Sequence, residues 1–482
     1  MECSFEERER ELELECRLPK NMPASAVSRL EAFLQPFLVN YRRCEQQAHA
    51  TSVVRGLCSD LERKNGESIA CLFGLDRKVI QHFVGEARWN DRALREELAR
   101  QVGSQLGEPD GVLVFDPSAF PKAGRQSVGV ARQWCGRLGK LDNCQVAVYP
   151  AYVSATGHAL VDTELYLPKE WTNDKPRLKR AAVPPARRRH RTRQEICLEL
   201  LDRHGEHLPH GWITGDDEMG RPADFRRKLR DRNERYLSAV PCNTTIRDLE
   251  IPAPESSGTG RPAKRPSRRV DRWVAECGSD DWSPVEVRDG EKGPLSVEAL
   301  KRRVETGQRA RPTAAEEVLV VLRDRDRDSQ VVKTDYYLSD AGLSDAGVET
   351  PLVEFCRAAK AEHRVEECLR RGKSETGLAD YEVRNWVGWQ HHQTLSLLAA
   401  WFLNVETRRA EKKDAGDHLQ PSSTRHRIVA PRRDAKRYAP RRPLANRTTA
   451  HPSSTGTALP LETTQPTSTQ EPGSEKNLGQ SN

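Results

Sequence analysis

Two short apolar runs, each followed closely by an aspartate, constrain the fold of this chain more than any other feature of the sequence. Gly111–Phe115 (GVLVF) precedes Asp116, and Gly211–Thr214 (GWIT) leads through one glycine to Asp216. Such runs are too short for buried helices and predict buried strands. In sheets of mixed α/β proteins, functional side chains gather where strands end and the loops open. The sequence therefore predicts an α/β fold with a functional site near these two acids.

The segment before the first run has a helical pattern, whereas the segment after it alternates between strands and helices. Upstream, the predicted helices are Ala26–Leu38, Ala48–Arg63, Arg77–Val84 and one that begins after a cap at Asn90-Asp91. Downstream, strands are predicted at Asn143–Val153, Ala159–Leu167 and Tyr236–Val240, and helices at Arg193–Arg203 and Pro222–Arg232. This order predicts a small all-helical domain followed by a mixed α/β domain.

Residues 243–312 interrupt the alternation. They begin with a Gly/Pro/Ser-rich basic loop, Glu255–Arg269, which is typical of an exposed connection. Short strands are then predicted at Val285–Val287, Leu295–Val297, Glu317–Leu322 and Asp335–Leu338, followed by helices at about Pro351–Gly372 and Tyr381–Val405. The strands indicate an inserted β-rich module between two parts of the α/β domain.

The composition bounds the class of protein and its surroundings. Lys+Arg (78) and Asp+Glu (71) nearly balance, so the net charge of +7 matters less than where the charges lie. The twelve cysteines lack metal-ligand spacing, and the acidic N-terminus lacks an apolar segment. The longest apolar stretch, Leu395–Leu403, is too short to cross a bilayer. We expect a soluble cytoplasmic protein with a disordered tail over residues 406–482, basic at first and then Ser/Thr/Pro-rich.

A third carboxylate could complete a metal site with the two aspartates. Glu366 lies on the later predicted helix, in HRVEECLRRGK. Carboxylate oxygens are the ligands that Mg²⁺ prefers, and two such ions roughly 3.5–4 Å apart catalyse phosphoryl transfer in many enzymes. Spacing alone leaves a simpler alternative open, in which these acids cap helices or face solvent.

Three segments together resemble one family. These are DPSAFPKAGRQSVGVARQWCGRLGKLDNCQVAV (Asp116–Val148), WITGDDEMG (Trp212–Gly220) and HRVEECLRRGKSETGLADYEVRNWVGWQHHQTLSLLA (His363–Ala399). In this order they resemble the catalytic segments of bacterial insertion-sequence transposases of the DDE superfamily, over about residues 25–405. The resemblance implies a ribonuclease-H-like mixed sheet over 108–242 and 335–405, a strand-rich insertion over 243–334 and a helical DNA-binding domain over 24–107.

The resemblance also implies roles for individual residues. Asp116, Asp216 and Glu366 would be the catalytic metal ligands, with Asp217 a weaker substitute for Asp216. Lys373, seven positions after the glutamate, would contact DNA phosphate near the reacting end. The expected cofactor is Mg²⁺, for which Mn²⁺ could substitute. The expected partners are the terminal inverted repeats and target DNA, bound by a dimer, with no membrane, in the nucleoid region of a bacterial cytoplasm.

The chain departs from the family pattern at several positions. Relatives often carry two acids in a row at the first site, but Pro117 and Ser118 follow Asp116 here. Related families place Tyr and Arg upstream of the glutamate, where this chain has Ala359 and Glu362. Arg364 could replace that arginine, although a shift of two helical residues turns it roughly 200° away.

Several basic and aromatic residues are candidates for DNA contact. The cations near the first aspartate are Lys122, Arg125, Arg132, Arg137 and Lys140, and two further basic clusters span Arg187–Arg193 and Arg261–Arg269. Each cluster could equally be a solvated loop. Trp134, Trp386 and Trp389 could stack on a flipped base or pack in the core. The adjacent His391 and His392 point about 100° apart on a helix, which makes a shared metal improbable.

The sequence is compatible with three functions. The first is a transposase that cuts and joins DNA by two-metal phosphoryl transfer. The second is a DNA-binding protein derived from a transposase that has lost catalysis, which is motivated by Pro117 and by a tail after Lys413 that does not resemble the usual family ending. The third is a general nuclease of the same fold. Metal-dependent cutting separates the first from the second, and preference for element ends separates the first from the third.

Overall fold

The computed structural model describes residues 24–252, 265–290, 293–306, 315–325, 330–342 and 349–417. The helices are α1 Ala24–Leu38, α2 Cys44–Leu57, α3 Gly66–Leu72, α4 Arg77–Gly85, α5 Asp91–Leu106, α6 Lys169–Thr172, α7 Lys175–Arg180, α8 Arg193–His204, α9 Asp217–Gly220, α10 Ala223–Arg230, α11 Val270–Ala275, α12 Leu352–Lys360, α13 Glu362–Glu375 and α14 Trp386–Asp417. The strands are β1 Val112–Pro121, β2 Ala131–Cys135, β3 Lys140–Ser154, β4 Gly157–Leu160, β5 Glu164–Leu165, β6 Trp212–Gly215, β7 Tyr236–Ala239, β8 Thr245–Asp248, β9 Arg268–Arg269, β10 Ser283–Gly290, β11 Gly293–Thr306, β12 Ala315–Arg325 and β13 Val331–Ser339.

Side-chain caps fix where the N-terminal helices begin. The Asn90 side chain accepts a hydrogen bond from the Ala93 N–H, so the predicted cap of α5 is present. Asn65 and Asp76 cap α3 and α4 in the same way. The predicted helix Ala48–Arg63 was too long, because α2 ends at Leu57 and a separate helix begins after Asn65. Each cap satisfies backbone N–H groups that have no partner within the helix.

The strands form one mixed sheet in the order β2-β3-β1-β6-β7-β13-β12-β11-β8-β9. β1 pairs antiparallel with β3 and parallel with β6, and β6 pairs parallel with β7. The short strands β4 and β5 pair with β3 on its other edge. A sheet with antiparallel strands on one side of β1 and parallel strands on the other confirms the predicted mixed α/β class, with helices at the N-terminal side.

The strand-rich insertion extends the same sheet. β13 pairs antiparallel with β7, with Tyr337 opposite Ala239, and β12 and β11 follow in turn. All four short strand predictions in this region fall within β10–β13. A second hydrophobic cluster that includes Trp273, Leu300 and Val321 packs on this part of the sheet. The insertion therefore has its own core but continues the sheet that carries the two aspartates.

The helix α14 connects the N-terminal helices to the sheet. Its buried Trp389 and Leu395 belong to one continuous hydrophobic core with Leu57 of α2 and Val114 of β1. Within α14, His391 and His392 face different neighbours: His391 Nδ1 lies 3.0 Å from the Val84 carbonyl oxygen and His392 Nε2 lies 2.8 Å from that of Gly377. Burial lowers the pKa of each to about 4, so both imidazoles are neutral packing groups.

Two further differences from the sequence-based boundaries concern the C-terminal helices. The helix predicted over Pro351–Gly372 is two helices, α12 and α13, which meet at Ala361. Residues 406–417, which the sequence assigned to the tail, continue α14, and the rest of the predicted disordered tail lies outside the described residues. No helix in the described ranges is both long and apolar enough to cross a membrane.

A buried ionic cluster joins α5 to the sheet. The fully buried Asp162 carboxylate accepts hydrogen bonds from Arg95 at 2.9 Å and Arg203 at 2.8 Å. His204 Nε2 lies 2.6 Å from the same carboxylate. Glu164, two residues later, pairs with Arg191 at 3.1 Å. Because a buried charge is stable only when it is paired, these contacts fix α5 and α8 against the β4–β5 segment.

Candidate active site

Asp116 lies inside β1, beside the point where β6 ends. The sequence placed it at a strand end, but β1 continues to Pro121 because it remains paired with β3. Pairing of β1 with β6 stops at Phe115 opposite Gly215. The next residues of the two parallel strands are Asp116 and Asp216, so their side chains leave the same face of the sheet side by side. The end of β6, not the end of β1, opens the space in front of both acids.

The register explains why a second acid after Asp116 is not needed on this face. Alternation along β1 directs Val114, Asp116 and Ser118 to one side of the sheet and Pro117 to the other. A carboxylate at position 117 would therefore point away from Asp216. Pro117 also lies beyond the last residue of β1 that pairs with β6. Its lack of an N–H therefore removes no hydrogen bond between these two strands.

The helix α13 runs along the same face and places Glu366 at the level of the aspartates. Near its start, the Thr214 hydroxyl donates to the Glu362 carboxylate at 3.1 Å, and near its end the Lys373 ammonium donates to the Ser118 hydroxyl at 2.8 Å. Glu366 is one helical turn, about 6 Å, beyond Glu362. Asp116 is two strand residues, about 7 Å, beyond the level of Thr214. The glutamate therefore stands opposite Asp116.

The Glu366 carboxylate is nevertheless turned toward solvent. Its side chain is 75% exposed, with one oxygen 3.8 Å from His363 Nδ1. Across the described part of the chain, no three His, Cys, Asp or Glu side chains are close enough together to hold one ion. The structure thus brings Asp116 and Asp216 together and places Glu366 close enough for its charge to act on Asp116, with the Glu366 carboxylate in solvent.

The carboxyls at this face have raised pKa values. Burial, followed by the charges of Asp216 and Glu366, raises the pKa of Asp116 to about 7. Burial also raises the pKa of Asp216 to about 6, although its carboxylate accepts a hydrogen bond from the Met219 N–H at 2.9 Å. Adjacent half-buried carboxylates repel each other in their charged forms, and a bound cation would remove that repulsion.

The acids that follow Asp216 point elsewhere. Asp217 is 55% exposed and lies 3.6 Å from Arg221, one turn along the chain. Glu218 pairs with Arg193. Neither side chain is placed like Asp216, whose carboxylate caps α9 beside β1. The structure therefore favours Asp216 over the weaker substitute Asp217.

Glu362 is a functional candidate that sequence reasoning missed. The sequence marks it only as a departure from the family arginine, yet its half-buried carboxyl accepts a hydrogen bond from Thr214 and lies close enough to Asp216 for the two charges to interact. Burial raises the pKa of Glu362 to about 8, so the group is mostly protonated at neutral pH. The four-residue spacing from Glu366, which puts both on one helix face, was the available signal. Arg364 pairs with Glu367 at 2.9 Å and does not replace the family arginine at this face.

The four other cations predicted to bind DNA have different surroundings. Arg125 and Arg132 are exposed, and Lys140 is exposed but pairs with Asp142 at 3.2 Å. Lys122 is half-buried: its ammonium donates to the Tyr381 carbonyl at 3.0 Å and lies 3.5 Å from the centre of the Tyr381 ring. Burial lowers the pKa of Lys122 to about 8. Lys122 therefore packs against Tyr381 and does not belong to an exposed basic surface.

The more distant basic clusters are largely neutralised by acids. Arg187, Arg189 and Arg191 all pair with Glu199. In the third cluster, Arg268 pairs with Glu276 and Arg269 with Asp271, whereas Arg261 and Lys264 lie outside the described residues. Of the three tryptophans considered for base stacking, Trp386 and Trp389 are buried in the core and Trp134 is exposed.

Comparison with known proteins assigns the family. The family described as DDE superfamily endonuclease matches residues 34–294, which is more than half of the chain and includes Asp116 and Asp216. The chain belongs to this family. A "Probable transposase for insertion sequence element IS701" from Microchaete diplosiphon is 35% identical over 202 residues, or 40% of this chain. The matched part spans about half of that relative, 49% of its length.

A solved structure is also similar at low identity. It is the cryo-EM structure of a piggyBac transposase synaptic complex with hairpin DNA, with a TM-score of 0.37 and 10% sequence identity. The match covers 83% of this chain and 76% of that one.

Proposed function

We propose that this DDE endonuclease is a transposase that cuts and joins the ends of a DNA element at Asp116, Asp216 and Glu366. The observation that carries the proposal is the position of Asp116 and Asp216 side by side where β6 ends, with α13 bringing Glu366 to the same level. Family membership and the similarity to an insertion-sequence transposase support the substrate class.

The three acids suit a hard divalent cation. All the candidate ligands are carboxylate oxygens, which Mg²⁺ and Mn²⁺ prefer over nitrogen or sulfur. Burial raises the pKa values of Asp116 and Asp216, and for Asp116 the charges of Asp216 and Glu366 add to the shift, so a bound cation would offset the cost of charging these carboxyls. Bound divalent ions would supply activation of the attacking oxygen and neutralisation of charge on the leaving oxygen.

The residues around the acids have supporting roles in this proposal. Lys373, fixed by Ser118, would place a positive charge on the phosphate next to the cut. Arg125 and Arg132 would bind backbone phosphates farther along the DNA. Such contacts hold the reacting phosphodiester in position, which is the main contribution that protein groups make to phosphoryl transfer. Joining two ends requires two active sites in one complex, so we propose a dimer.

Cleavage of a labelled duplex that carries the element's own end tests the proposal. With Mg²⁺, the native protein should cut this duplex and leave a scrambled duplex intact. Asp216→Ala should abolish cutting. Asp217→Ala is the matched control, because it removes the neighbouring, solvent-facing acid and should retain cutting.

The alternatives give different results in the same assay. A protein that has lost catalysis would bind the end and cut neither duplex, with any divalent ion. A general nuclease would cut both duplexes equally. Equal loss in Asp216→Ala and Asp217→Ala would refute the assignment of Asp216.

A further inference from the structure

The hairpin formed by β2 and β3 carries an exposed apolar face. Trp134 and Leu141 are directly opposite each other in the β2–β3 pairing, and each is 56% exposed. Leu138, in the turn between the strands, is 43% exposed. Cross-strand neighbours on one face pack as a unit. More than half of the Trp134 side chain is open to solvent, whereas most large apolar side chains of the described chain are buried.

This face is continuous with the face that carries the candidate active site. Directly paired residues of antiparallel strands point to the same side, so Asp116 shares a side with Tyr149, and Trp134 shares a side with Leu141. Positions 149 and 141 are separated by an even number of residues along β3, with no shift in either register. Trp134 and Asp116 are therefore on the same face of the sheet.

The surroundings of Trp134 are basic. Arg132 precedes it on the same face, and Arg137 lies in the turn, where its charge helps to lower the pKa of Lys373. Neither arginine forms a salt bridge within 4 Å in the described part of the chain, although the Asp142 carboxylate that pairs with Lys140 is close enough to Arg132 for the two charges to interact. An exposed aromatic side chain beside cations matches a nucleic-acid strand, which offers a ring and a phosphate in each nucleotide.

We propose that this hairpin face, defined by Arg132, Trp134, Leu138 and Leu141, binds an unpaired base at a DNA end, with Trp134 stacking on the base. The inference rests on the proposed function, since it places the base on the DNA strand held at the neighbouring acids. Stacking on an aromatic ring tolerates any base. The face therefore recognises unpaired DNA by its shape, and Arg132 binds the adjacent phosphate.

The test compares two duplexes in EDTA, where cleavage does not contribute. One carries a three-nucleotide 3′ overhang containing 2-aminopurine, and the other is blunt. The full-length native protein should bind the overhang more tightly and quench the 2-aminopurine. Trp134→Ala should weaken overhang binding about tenfold, leave blunt binding within about twofold and relieve the quenching. Trp134→Phe should keep most of the preference.

The controls separate stacking from general effects. Val332→Ala removes another exposed apolar side chain, 67% exposed on β13, and should behave as native. Asp216→Ala should bind the overhang duplex in preference to the blunt duplex, as the native protein does. A wrong catalytic assignment can therefore be distinguished from a wrong assignment of the hairpin face. The inference is overturned if Trp134→Ala binds each of the two duplexes with the same affinity as the native protein. A DNA-free dimer that Trp134→Ala converts to monomer would also overturn it, since the face would then be an interface between copies.

Discussion

Replacing Glu362 by glutamine should change how the stability of the protein depends on pH. In the folded chain the pKa of this carboxyl is raised to about 8 by burial, whereas in an unfolded chain it is about 4.3. Between these values the unfolded chain releases the proton and the folded chain keeps it. Because the unfolded state then binds fewer protons, native stability falls as the pH rises through this window.

The size of the effect follows from the proton difference. Each pH unit inside the window costs about 1.4 kcal/mol, so raising the pH from 5 to 7.5 costs about 3 kcal/mol through this one group. An amide does not titrate and can still accept the Thr214 hydroxyl. Glu362→Gln should therefore exceed the native protein in stability by about 1 kcal/mol at pH 5 and by about 4 kcal/mol at pH 7.5, so that the difference grows by about 3 kcal/mol.

Thermal unfolding in EDTA measures this difference. With about 360 described residues, the entropy of unfolding is about 0.75 kcal/mol per degree, so the gap in Tm should grow by about 4 °C between pH 5 and pH 7.5. Comparing the two proteins at each pH cancels the contributions of Asp116 and Asp216 to the pH dependence of stability, because the pKa values of these carboxyls are raised in both proteins. A gap in Tm that stays constant across this range would show that Glu362 is ionised in the folded protein and refute the reasoning.

Two further substitutions test the buried ions and the DNA surface. In a denaturant titration, Asp162→Asn should lower the free energy of unfolding by about 3–5 kcal/mol, because it leaves the cations around this buried carboxylate unpaired. Asp202 is a 53% exposed partner of Arg232, so Asp202→Asn should lower it by less than about 1 kcal/mol. Arg125→Gln should reduce the slope of log Kd against log salt for DNA by about 0.9, and an unchanged slope would exclude a phosphate contact. Arg189→Gln, already paired with Glu199, should leave that slope unchanged.

Local patterns predicted the elements well where one physical signal dominated. The Asn90 cap and the apolar runs before Asp116 and Asp216 gave the correct helix start and strands. The lengths of helices and strands were harder to predict from the sequence. The sequence predicted that β1 ends at Asp116, because the apolar run stops there, but pairing with β3 extends the strand to Pro121 where the β6 side is open. The break at Ala361 was missed because apolar spacing continues from α12 into α13.

The candidate site was predictable in its acids but not in its neighbours. Asp116 and Asp216 follow from strand ends and the family resemblance, while their register depends on which strands pair. Basic residues were the least predictable, since Lys122 and Arg191 look like DNA-binding cations in the sequence but have buried partners. Partners distant in sequence decide whether a charge is free, and local pattern carries no information about them.

Counting bound Mn²⁺ by electron paramagnetic resonance tests the three-carboxylate site most directly. With the element's end duplex present, the native protein should bind Mn²⁺ tightly. Asp116→Asn and Asp216→Asn should each lose this binding, Glu366→Gln should weaken it, and Asp217→Asn should retain it. Equal Mn²⁺ binding by native protein and all four variants would contradict the assignment of the metal site to these acids.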